Sequence, residues 1–517
     1  MIKIKLRITT LVLSFVISAC SPFSKKTSDS SPENINRSKT PNIVIFYVDD
    51  LGYGDLGSYG ATGIETPEID RMANNGIRFT DGHSTAATCT PSRYSLLTGE
   101  HGFRNKAKIL KGDAPALIQP GKPTLASMLK KAGYVTGIVG KWHLGLGNGN
   151  VNWNKEIKPG PLEIGFDYSF LLPATGDRVP TVYIENHSVV GLDENDPITV
   201  SYEKKVGNRA TGYENPEMLR FIADVQHNDT IVNGVSRIGH MGGGESAVWV
   251  DEDFAQIFTD KAINFIRTNK NKPFFLYKSF HDIHVPRLPN NRFKDKSTMG
   301  VRGDAIAQLD WMTGRVVKEI EKLGLAANTL IIFTSDNGPV LFDGYIDQST
   351  ELIGDHKPTG PFSGGKYSRL EAGTRVPTIV YWPGTIKPQV NRALVSQLDI
   401  YKSLAALVGV DIEDPEAVDS LEQLAIWLGE TDKGRIDLIE ESLGNTALRH
   451  NNYKFIPKTN QIPRFVKSKK IKGGYESYDQ LFDLDNDPAE LNNIATQNPE
   501  LVNKLRIRLK QIVDGQY

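Results

Sequence analysis

Five short apolar runs, separated by helical patterns, constrain the fold of this 517-residue chain more than any other feature. Each run has the length and composition of a buried strand. Helical patterns lie between the runs, at residues 124–132, 254–268 and 303–323. Strands that alternate with helices predict an α/β fold, with a mostly parallel sheet covered by helices on both faces. The five runs are residues 42–48, 134–139, 273–280, 330–334 and 376–382.

Polar residues follow the first four runs, at the points where the predicted strands end. The carboxyl ends of parallel strands share one edge of a sheet, and ligands usually bind there. We therefore expect these side chains to converge on one rim, although they are far apart in the sequence. They are Asp49, Asp50, Lys141, His143, His284, Asp336 and Asn337.

The acidic and amide members of this set indicate a metal site. Four of them offer only oxygen ligands, which hard divalent cations prefer, and no cluster of Cys and His indicates zinc. We expect Ca²⁺, with Mg²⁺ as the second choice, because selection between the two depends on cavity size and ligand number. Taken alone, a pair of aspartates after a strand is more often a helix cap or a turn. The four are Asp49, Asp50, Asp336 and Asn337.

Cys89 begins a second strong pattern, C-T-P-S-R-Y-S-L-L-T-G, in a chain with only one other cysteine. Pro91 has a φ angle suited to a first helical turn, and Thr90 can cap the helix that Ser92 begins. We therefore expect Cys89 at a helix N-terminus, where backbone N–H groups favour an anion. The alternative is a small buried hydrophobe, which is the usual role of a lone cysteine.

The pattern C-x-P-S-R-x-x-L-x-T-G resembles the signature of type I sulfatases, in the alkaline-phosphatase-like superfamily, and implies that fold. The resemblance also implies that a formylglycine-generating maturation enzyme oxidises Cys89 to formylglycine, whose hydrate attacks the sulfur of a sulfate ester. Other matches cover nearly the whole chain after the N-terminal segment. They are G-K-W-H at 140–143, H-V-P at 284–286, G-G-K at 364–366, and E-A-G-T-R-V-P at 371–377, where Ala372 replaces the usual glycine.

The resemblance assigns roles to individual residues. Basic side chains would neutralise the sulfate oxygens, His143 would act as the base in sulfate release, and His284 or Lys366 would protonate the leaving alcohol. The implied catalytic residues are Cys89, Arg93, Lys141, His143, His284 and Lys366. The implied metal ligands are Asp49, Asp50, modified Cys89, Asp336 and Asn337.

We therefore expect a sulfuric ester hydrolase that releases inorganic sulfate from sulfated polysaccharide or oligosaccharide. Segment 173–250 either crosses the active rim or is a surface insertion. Two rival functions stay open, namely a phosphate or phosphonate monoester hydrolase of the same superfamily and an inactive glycan-binding lipoprotein. The net charge of −1 gives no indication of nucleic acid binding. Candidate substrate contacts are His281, Arg287, Asp355 and His356.

The first residues resemble a bacterial lipoprotein signal, with a basic start and an apolar stretch that ends at Cys20. That stretch is too short to span a bilayer as a helix. We expect removal of residues 1–19 and lipidation of Cys20, which would anchor the protein in the cell envelope, with the periplasmic side favoured. The remaining predicted parts are a flexible tether over 20–40, a catalytic domain over 41–435 and a smaller subdomain over 436–517.

The smaller subdomain is predicted to combine an antiparallel sheet with one helix. Its predicted strands are residues 453–456 and 480–484, and a terminal amphipathic pattern indicates a helix over 499–513.

Overall fold

The structure, a computed structural model, describes residue 1, residues 40–469 and residues 471–515. Its main element is a ten-stranded sheet whose five central strands run parallel. This confirms the predicted mostly parallel sheet flanked by helices. In spatial order the strands are Gln389–Asn391, Ile77–Phe79, Thr378–Tyr381, Thr329–Ser335, Asn42–Val48, Phe274–Ser279, Val135–Lys141, Tyr168–Leu172, Ile184–Glu185 and Ser188–Val189.

The central strand Asn42–Val48 shows why both faces of the sheet carry helices. Successive side chains of a strand point to opposite faces, and every residue of this strand is buried. Its odd-numbered apolar residues join one hydrophobic core and its even-numbered apolar residues join the other. Helices Cys89–Thr98, Leu125–Lys131 and Ile400–Val408 contribute to the first core, and helices Pro67–Asn74, Phe254–Asn269 and Gly300–Lys322 to the second.

The sheet differs from the simple strand–helix alternation at its edges. The fifth predicted run forms strand Thr378–Tyr381, which lies antiparallel to Thr329–Ser335, so its carboxyl end is at the opposite edge. Strand Tyr168–Leu172 extends the parallel part but was not predicted, because its apolar stretch is too short to stand out in the sequence.

Segment 173–250 contains short strands rather than a continuous element. Three two-stranded pairs include residues from it, and a fourth pair lies elsewhere. The pairs are Ile231–Val232 with Val235–Ser236, Thr199–Ser201 with His240–Gly242, Ile222–Ala223 with Tyr345–Ile346, and Gly82–His83 with Val395–Ser396.

The C-terminal part forms a separate four-stranded antiparallel sheet, called here the C-terminal sheet. Helix Pro499–Val513 packs on it through Val502, Leu505, Leu509 and Ile512, which confirms the predicted antiparallel sheet with one helix. The first two strands were not predicted. The predicted domain boundary at residue 435 stays a prediction. The strands are Asp437–Ser442, Asn445–His450, Tyr453–Ile456 and Gln480–Asp483.

The remaining α-helices of the described chain are Leu424–Trp427 and Arg464–Ser468. The predicted signal, Cys20 and nearly all of the predicted tether lie outside the described residues. Within the described residues, no helix combines the length and the apolar character that crossing a membrane requires.

Candidate active site

The polar residues that follow the parallel strands meet at one rim of the main sheet. Asp49 and Asp50 come directly after strand Asn42–Val48, and Asp336 and Asn337 come directly after its hydrogen-bonded neighbour Thr329–Ser335. All four side chains are buried. Their convergence follows from the parallel pairing, which places the ends of the two strands side by side.

Cys89 is the first residue of helix Cys89–Thr98 and is buried. Its Sγ donates a hydrogen bond to Asp49 Oδ1 at 3.5 Å. The predicted cap at Thr90 is wrong, because the helix begins earlier and the Thr90 hydroxyl donates to the His143 carbonyl at 3.1 Å. The predicted N-terminal position of Cys89 is confirmed, so the positive end of the helix faces the acidic rim.

The rim offers a ligand set that fits a hard divalent cation. Ligand atoms of Asp49, Asp50, Cys89 and Asp336 all lie within 4.8 Å of one another. Asn337 Nδ2 donates to Asp50 Oδ1 at 2.8 Å, while the buried Asn337 Oδ1 has no hydrogen-bond partner. A buried acceptor without a donor is costly, and a cation with oxygen preference would satisfy it.

The protein's own bases do not fully neutralise these carboxylates. Burial raises the pKa of Asp49 to about 8, although Lys141 opposes the change. Burial likewise raises the pKa of Asp50 against the opposing charge of Lys366. Only Asp336 has its pKa lowered: burial would raise it, but Arg93 and Lys141 outweigh burial. A further positive charge at this point would stabilise the ionised forms of Asp49 and Asp50.

Three basic side chains surround the carboxylates. Arg93 donates through Nε to Asp336 Oδ2 at 2.9 Å, and Lys141 Nζ pairs with Asp49 Oδ2 at 2.5 Å. Lys366 Nζ donates to Asp50 Oδ2 at 2.8 Å. The arrangement therefore holds three cations beside Cys89, where they can neutralise the oxygens of a bound anion.

The two predicted catalytic histidines have different hydrogen-bond patterns. His143 Nε2 lies 3.0 Å from the Leu110 carbonyl, which can only accept, so Nε2 carries the hydrogen and the unpartnered Nδ1 is free to accept a proton. His284 Nδ1 donates to the Val285 carbonyl at 2.7 Å, and its Nε2 lies 3.9 Å from Asp50 Oδ2.

Both histidines are neutral at neutral pH. Burial lowers the pKa of His143 well below 6.5, and the charge of Lys141 lowers it further. Burial also lowers the pKa of His284 well below 6.5, and the charges of Lys366 and Lys141 lower it further. His143 can therefore serve as a base without first losing a proton.

The cavity beside Cys89 reveals residues that the sequence did not single out. Asp177, Arg178 and His227 line it, and all three come from segment 173–250. Asp177 pairs with Arg178 at 2.6 Å, and its Oδ2 lies 3.3 Å from His227 Nε2. The segment therefore does reach the active rim. The only sequence signal was the charged pair Asp177-Arg178 directly after a glycine.

Two further lining residues, Asp343 and Lys469, lie far apart in the sequence. Asp343 Oδ2 accepts from Lys366 Nζ at 2.9 Å, and its Oδ1 lies 2.9 Å from Lys469 Nζ. Lys366, Asp343 and Lys469 thus place alternating charges along the wall of the cavity. Nothing in the local sequence around Lys469 predicts this position.

His281 supports the cavity rather than lining it. Its Nε2 accepts a hydrogen bond from the Gly176 N–H at 3.0 Å, so it fixes the loop that carries Asp177. The ring also packs against the ring of His284, with centroids 5.8 Å apart. Its predicted contact with substrate stays a prediction.

The predicted contacts of Arg287 and His356 with substrate stay predictions. Arg287 donates to Asp347 Oδ2 at 2.7 Å and to four other protein oxygens, so most of its N–H groups are already used. His356 Nε2 donates to Asp55 Oδ1 at 2.8 Å. Neither lines the cavity beside Cys89, and Asp355 is exposed outside it. Arg287 and His356 make their hydrogen bonds to other parts of the protein, such as Asp347 and Asp55, and these bonds connect loops.

Comparison with known proteins identifies related chains. Residues 41–410 match the family model described as Sulfatase. An N-acetylgalactosamine-6-O-sulfatase of Bacteroides thetaiotaomicron is 49% identical over 483 residues, which cover 93% of this chain and 94% of that protein. An N-acetylgalactosamine-6-sulfatase of Rattus norvegicus is 32% identical over 401 residues, covering 75% and 66% respectively.

A solved structure shows the same architecture. It comes from work on glycosaminoglycan metabolism by Bacteroides thetaiotaomicron and has a TM-score of 0.90 at 48% sequence identity. The match covers 92% of this chain and 99% of the solved chain.

Proposed function

This chain belongs to the sulfatase family and is a sulfuric ester hydrolase, and we propose that it removes 6-O-sulfate groups from N-acetylgalactosamine in sulfated glycosaminoglycan. The observation that carries the proposal is the position of Cys89. It begins a helix against a buried oxygen-ligand cluster and three basic side chains, in a chain 49% identical to an N-acetylgalactosamine-6-O-sulfatase.

The proposal includes a modified residue and a metal ion. A maturation enzyme oxidises Cys89 to formylglycine, and the rim binds Ca²⁺, with Mg²⁺ as the alternative. When bound, the cation polarises the sulfate group and, with the aldehyde hydrate at position 89, supplies a nucleophilic hydroxyl. The unpartnered Asn337 Oδ1 supports a cation at this place. Its proposed protein ligands are Asp49, Asp50, Asp336, Asn337 and modified Cys89.

The chain's own residues bind and orient the sulfate ester. Arg93, Lys141 and Lys366 neutralise the sulfate oxygens, and the N-terminus of the helix adds its partial positive charge. These groups lie in a buried site, so their interaction with an anion is stronger than in water.

Two proton transfers complete the reaction. Lys366 is the better candidate to protonate the leaving alcohol, because it carries its proton at neutral pH. Burial would lower its pKa, but Asp343 and Asp50 outweigh burial and raise it. His284 is neutral and would first have to gain a proton. His143 Nδ1 accepts the proton that is released when sulfate leaves position 89.

The cavity wall supports a sugar as the leaving group. Asp177, Arg178 and His227 place polar atoms around the space beside Cys89, where they can hydrogen-bond sugar hydroxyls. Attachment of the protein to the bacterial cell envelope through lipidated Cys20, on the periplasmic side, remains part of the proposal.

Sulfate release by the purified protein tests the proposed function. The protein is produced together with a formylglycine-generating enzyme and assayed on 6-sulfated and 4-sulfated N-acetylgalactosamine and on phosphate and phosphonate monoesters. We expect release from the 6-sulfated sugar, and a loss of at least about 10⁴-fold in the Cys89→Ala variant. Mass spectrometry of the peptide around Cys89 should show formylglycine in the wild type.

The substrate panel separates the competing functions. Phosphate or phosphonate cleavage without sulfate release would identify the rival hydrolase. Binding of the sulfated sugar without release, by a protein whose Cys89 is fully converted, would identify the inactive glycan-binding protein. The Cys89→Ser variant is the matched control, because it keeps a hydroxyl but lacks the second hydroxyl of an aldehyde hydrate.

A further inference from the structure

A second cavity of about 450 Å³ adjoins the cavity beside Cys89. Ile109 and Phe465 line both cavities, so the two spaces lie side by side. The wall consists of the segment that contains Phe103 and Ile109 and of the end of the C-terminal strand Asp437–Ser442. Its volume lies within the usual range for ligand pockets. The mechanism of sulfate cleavage described above uses none of this space.

Glu441 is an unusual residue in the wall of this cavity. It is 1% exposed, its Oε2 accepts from the Phe103 N–H at 3.0 Å, and its Oε1 has no hydrogen-bond partner. Its backbone is fixed to the segment before Cys89, since Glu441 N donates to the Thr85 carbonyl and Ala87 N donates to the Glu441 carbonyl. Glu441 Oε1 is therefore a hydrogen-bonding atom that the described protein leaves unused in the wall of this cavity.

The protonation of Glu441 suits a ligand that carries hydroxyl groups. Burial raises the pKa of this carboxyl to about 8, against a smaller opposing effect of the Phe103 N–H. At neutral pH the group therefore carries a proton and can donate a hydrogen bond. A neutral acid also avoids repulsion of a negatively charged ligand.

Lys106 and Lys108 give this cavity its positive charge. Both line it, both are exposed, and within the described residues neither has an ion-pair partner. The rings of Phe103 and Phe465 supply apolar surface beside them. Two free ammonium groups, a buried acid and aromatic rings together match an anionic sugar, which presents a carboxylate or sulfate, hydroxyls and an apolar ring face.

We propose that this cavity is a subsite for the acidic sugar next to the sulfated residue of an oligosaccharide substrate. Lys106 and Lys108 bind its negative group, Glu441 hydrogen-bonds one of its hydroxyls, and Phe103 supports its ring. The inference rests on the proposed sulfatase function and extends it from a single sugar to a segment of a polymer. It also gives the C-terminal sheet a direct part in substrate binding.

The test compares three substrates that carry the same 6-sulfated N-acetylgalactosamine: the monosaccharide, a disaccharide with a uronic acid, and the same disaccharide with its carboxyl group reduced to an alcohol. We expect wild-type kcat/KM to be about tenfold higher for the acidic disaccharide than for the monosaccharide. In the K106A/K108A variant this ratio should fall close to one. Reduction of the substrate's carboxyl group should remove the same advantage, and the two changes together should add nothing further.

A second variant and a control complete the experiment. Glu441→Gln keeps a hydrogen-bonding side chain of similar size and should retain part of the ratio, whereas Glu441→Leu should lose it. The K504A/K510A variant removes two exposed lysines on helix Pro499–Val513 and should leave the ratio unchanged. If the K106A/K108A variant kept the wild-type ratio of kcat/KM between the acidic disaccharide and the monosaccharide, the proposed subsite would be wrong. Absence of sulfate release from all three substrates by the wild type would instead overturn the proposed function.

Discussion

The molecule buries two clusters of acidic and basic side chains that differ in how completely the protein neutralises them. The first, called the rim cluster, surrounds Cys89. The second, called the seam cluster, joins the main sheet to the C-terminal sheet. The rim cluster contains Asp49, Asp50, Asp336, Arg93, Lys141 and Lys366, and the seam cluster contains Asp81, Glu371, Glu440, Arg449 and Lys454.

In the seam cluster, every carboxylate pairs with Arg449 or Lys454, although Glu440 Oε1 has no hydrogen-bond partner. Glu371 accepts from Arg449 at 2.8 Å and from Lys454 at 3.1 Å. Arg449 also contacts Asp81 at 3.2 Å, and Lys454 contacts Glu440 at 2.5 Å. Burial alone would raise the pKa of Glu371, but Arg449 and Lys454 outweigh burial and hold it well below 4.5.

The rim cluster is left incomplete. The pKa values of Asp49 and Asp50 are raised, and Asn337 Oδ1 and His143 Nδ1 have no hydrogen-bond partner. Buried ionic groups stabilise a fold only when the protein satisfies them. The comparison therefore assigns the seam cluster to stability, and the rim cluster to binding groups that the protein itself does not supply.

The largest expected effect comes from Asp50→Asn at the rim. We expect sulfate release to fall by about 10³-fold or more, because the substitution removes the charge of a proposed metal ligand. The fold should tolerate it, since Lys366 keeps Asp343 at 2.9 Å and asparagine suits the positive φ of 61°. Metal content and activity are measured together with urea unfolding after treatment with a chelator.

The pH dependence of that unfolding sharpens the comparison. Because the pKa of Asp50 is raised in the folded state, ionising it costs free energy that grows as pH rises above its ordinary 3.8. The chelator-treated variant should therefore gain stability relative to the wild type as pH rises from about 4. A variant that is instead destabilised at every pH would show that the two clusters do not differ in this way.

The next effect comes from Glu371→Gln in the seam cluster. We expect the free energy of unfolding to fall by about 3 kcal/mol, because Arg449 and Lys454 lose a shared buried partner. Turnover per folded molecule should be retained. The pKa of Glu371 is depressed, so its contribution is present above pH 4.5 and is lost as pH falls. Loss of turnover with unchanged stability would contradict a structural role.

His143→Asn tests the unpartnered atom at the rim. Asparagine tolerates the positive φ of 55° at this position but removes the imidazole base. We expect kcat to fall by about 10²-fold. In rapid-mixing experiments the first turnover should release the alcohol faster than sulfate. Equal slowing of both products would assign His143 to substrate binding instead.

The smallest effect is expected for Asp479→Asn, which removes a half-exposed ion pair with Arg506. Solvent screens such pairs, so the free energy of unfolding should fall by less than about 1 kcal/mol. Urea unfolding under the same conditions makes this variant the control for Glu371→Gln. A comparable loss in both variants would remove the distinction between a buried and an exposed pair.

Sequence patterns were most informative where a few neighbouring residues decide the structure. The apolar run at Asn42–Val48 matches its strand, and the helix pattern at Pro499–Val513 matches its helix. The Cys89 pattern predicted the helix N-terminus but placed its start too late. Parallel strands were enough to predict that Asp49 and Asp336 meet, because their carboxyl ends share one edge.

Sequence patterns did not predict the residues that long connections bring to the active site. Asp177 and Lys469 reach the cavity beside Cys89 from segments without a periodic pattern, and Glu441 lies on a strand that the sequence did not predict. Arg287 lies shortly after a strand that the sequence predicted, but its guanidinium donates to loop residues such as Asp347.

The sequence by itself determined the central parallel strands, the longer helices and the rim, because hydrophobic periodicity and strand direction act over a few residues. Only the tertiary structure decided which charges are neutralised and which polar atoms stay free. That outcome depends on the side chains that distant loops bring within hydrogen-bond distance, and no local pattern encodes those contacts.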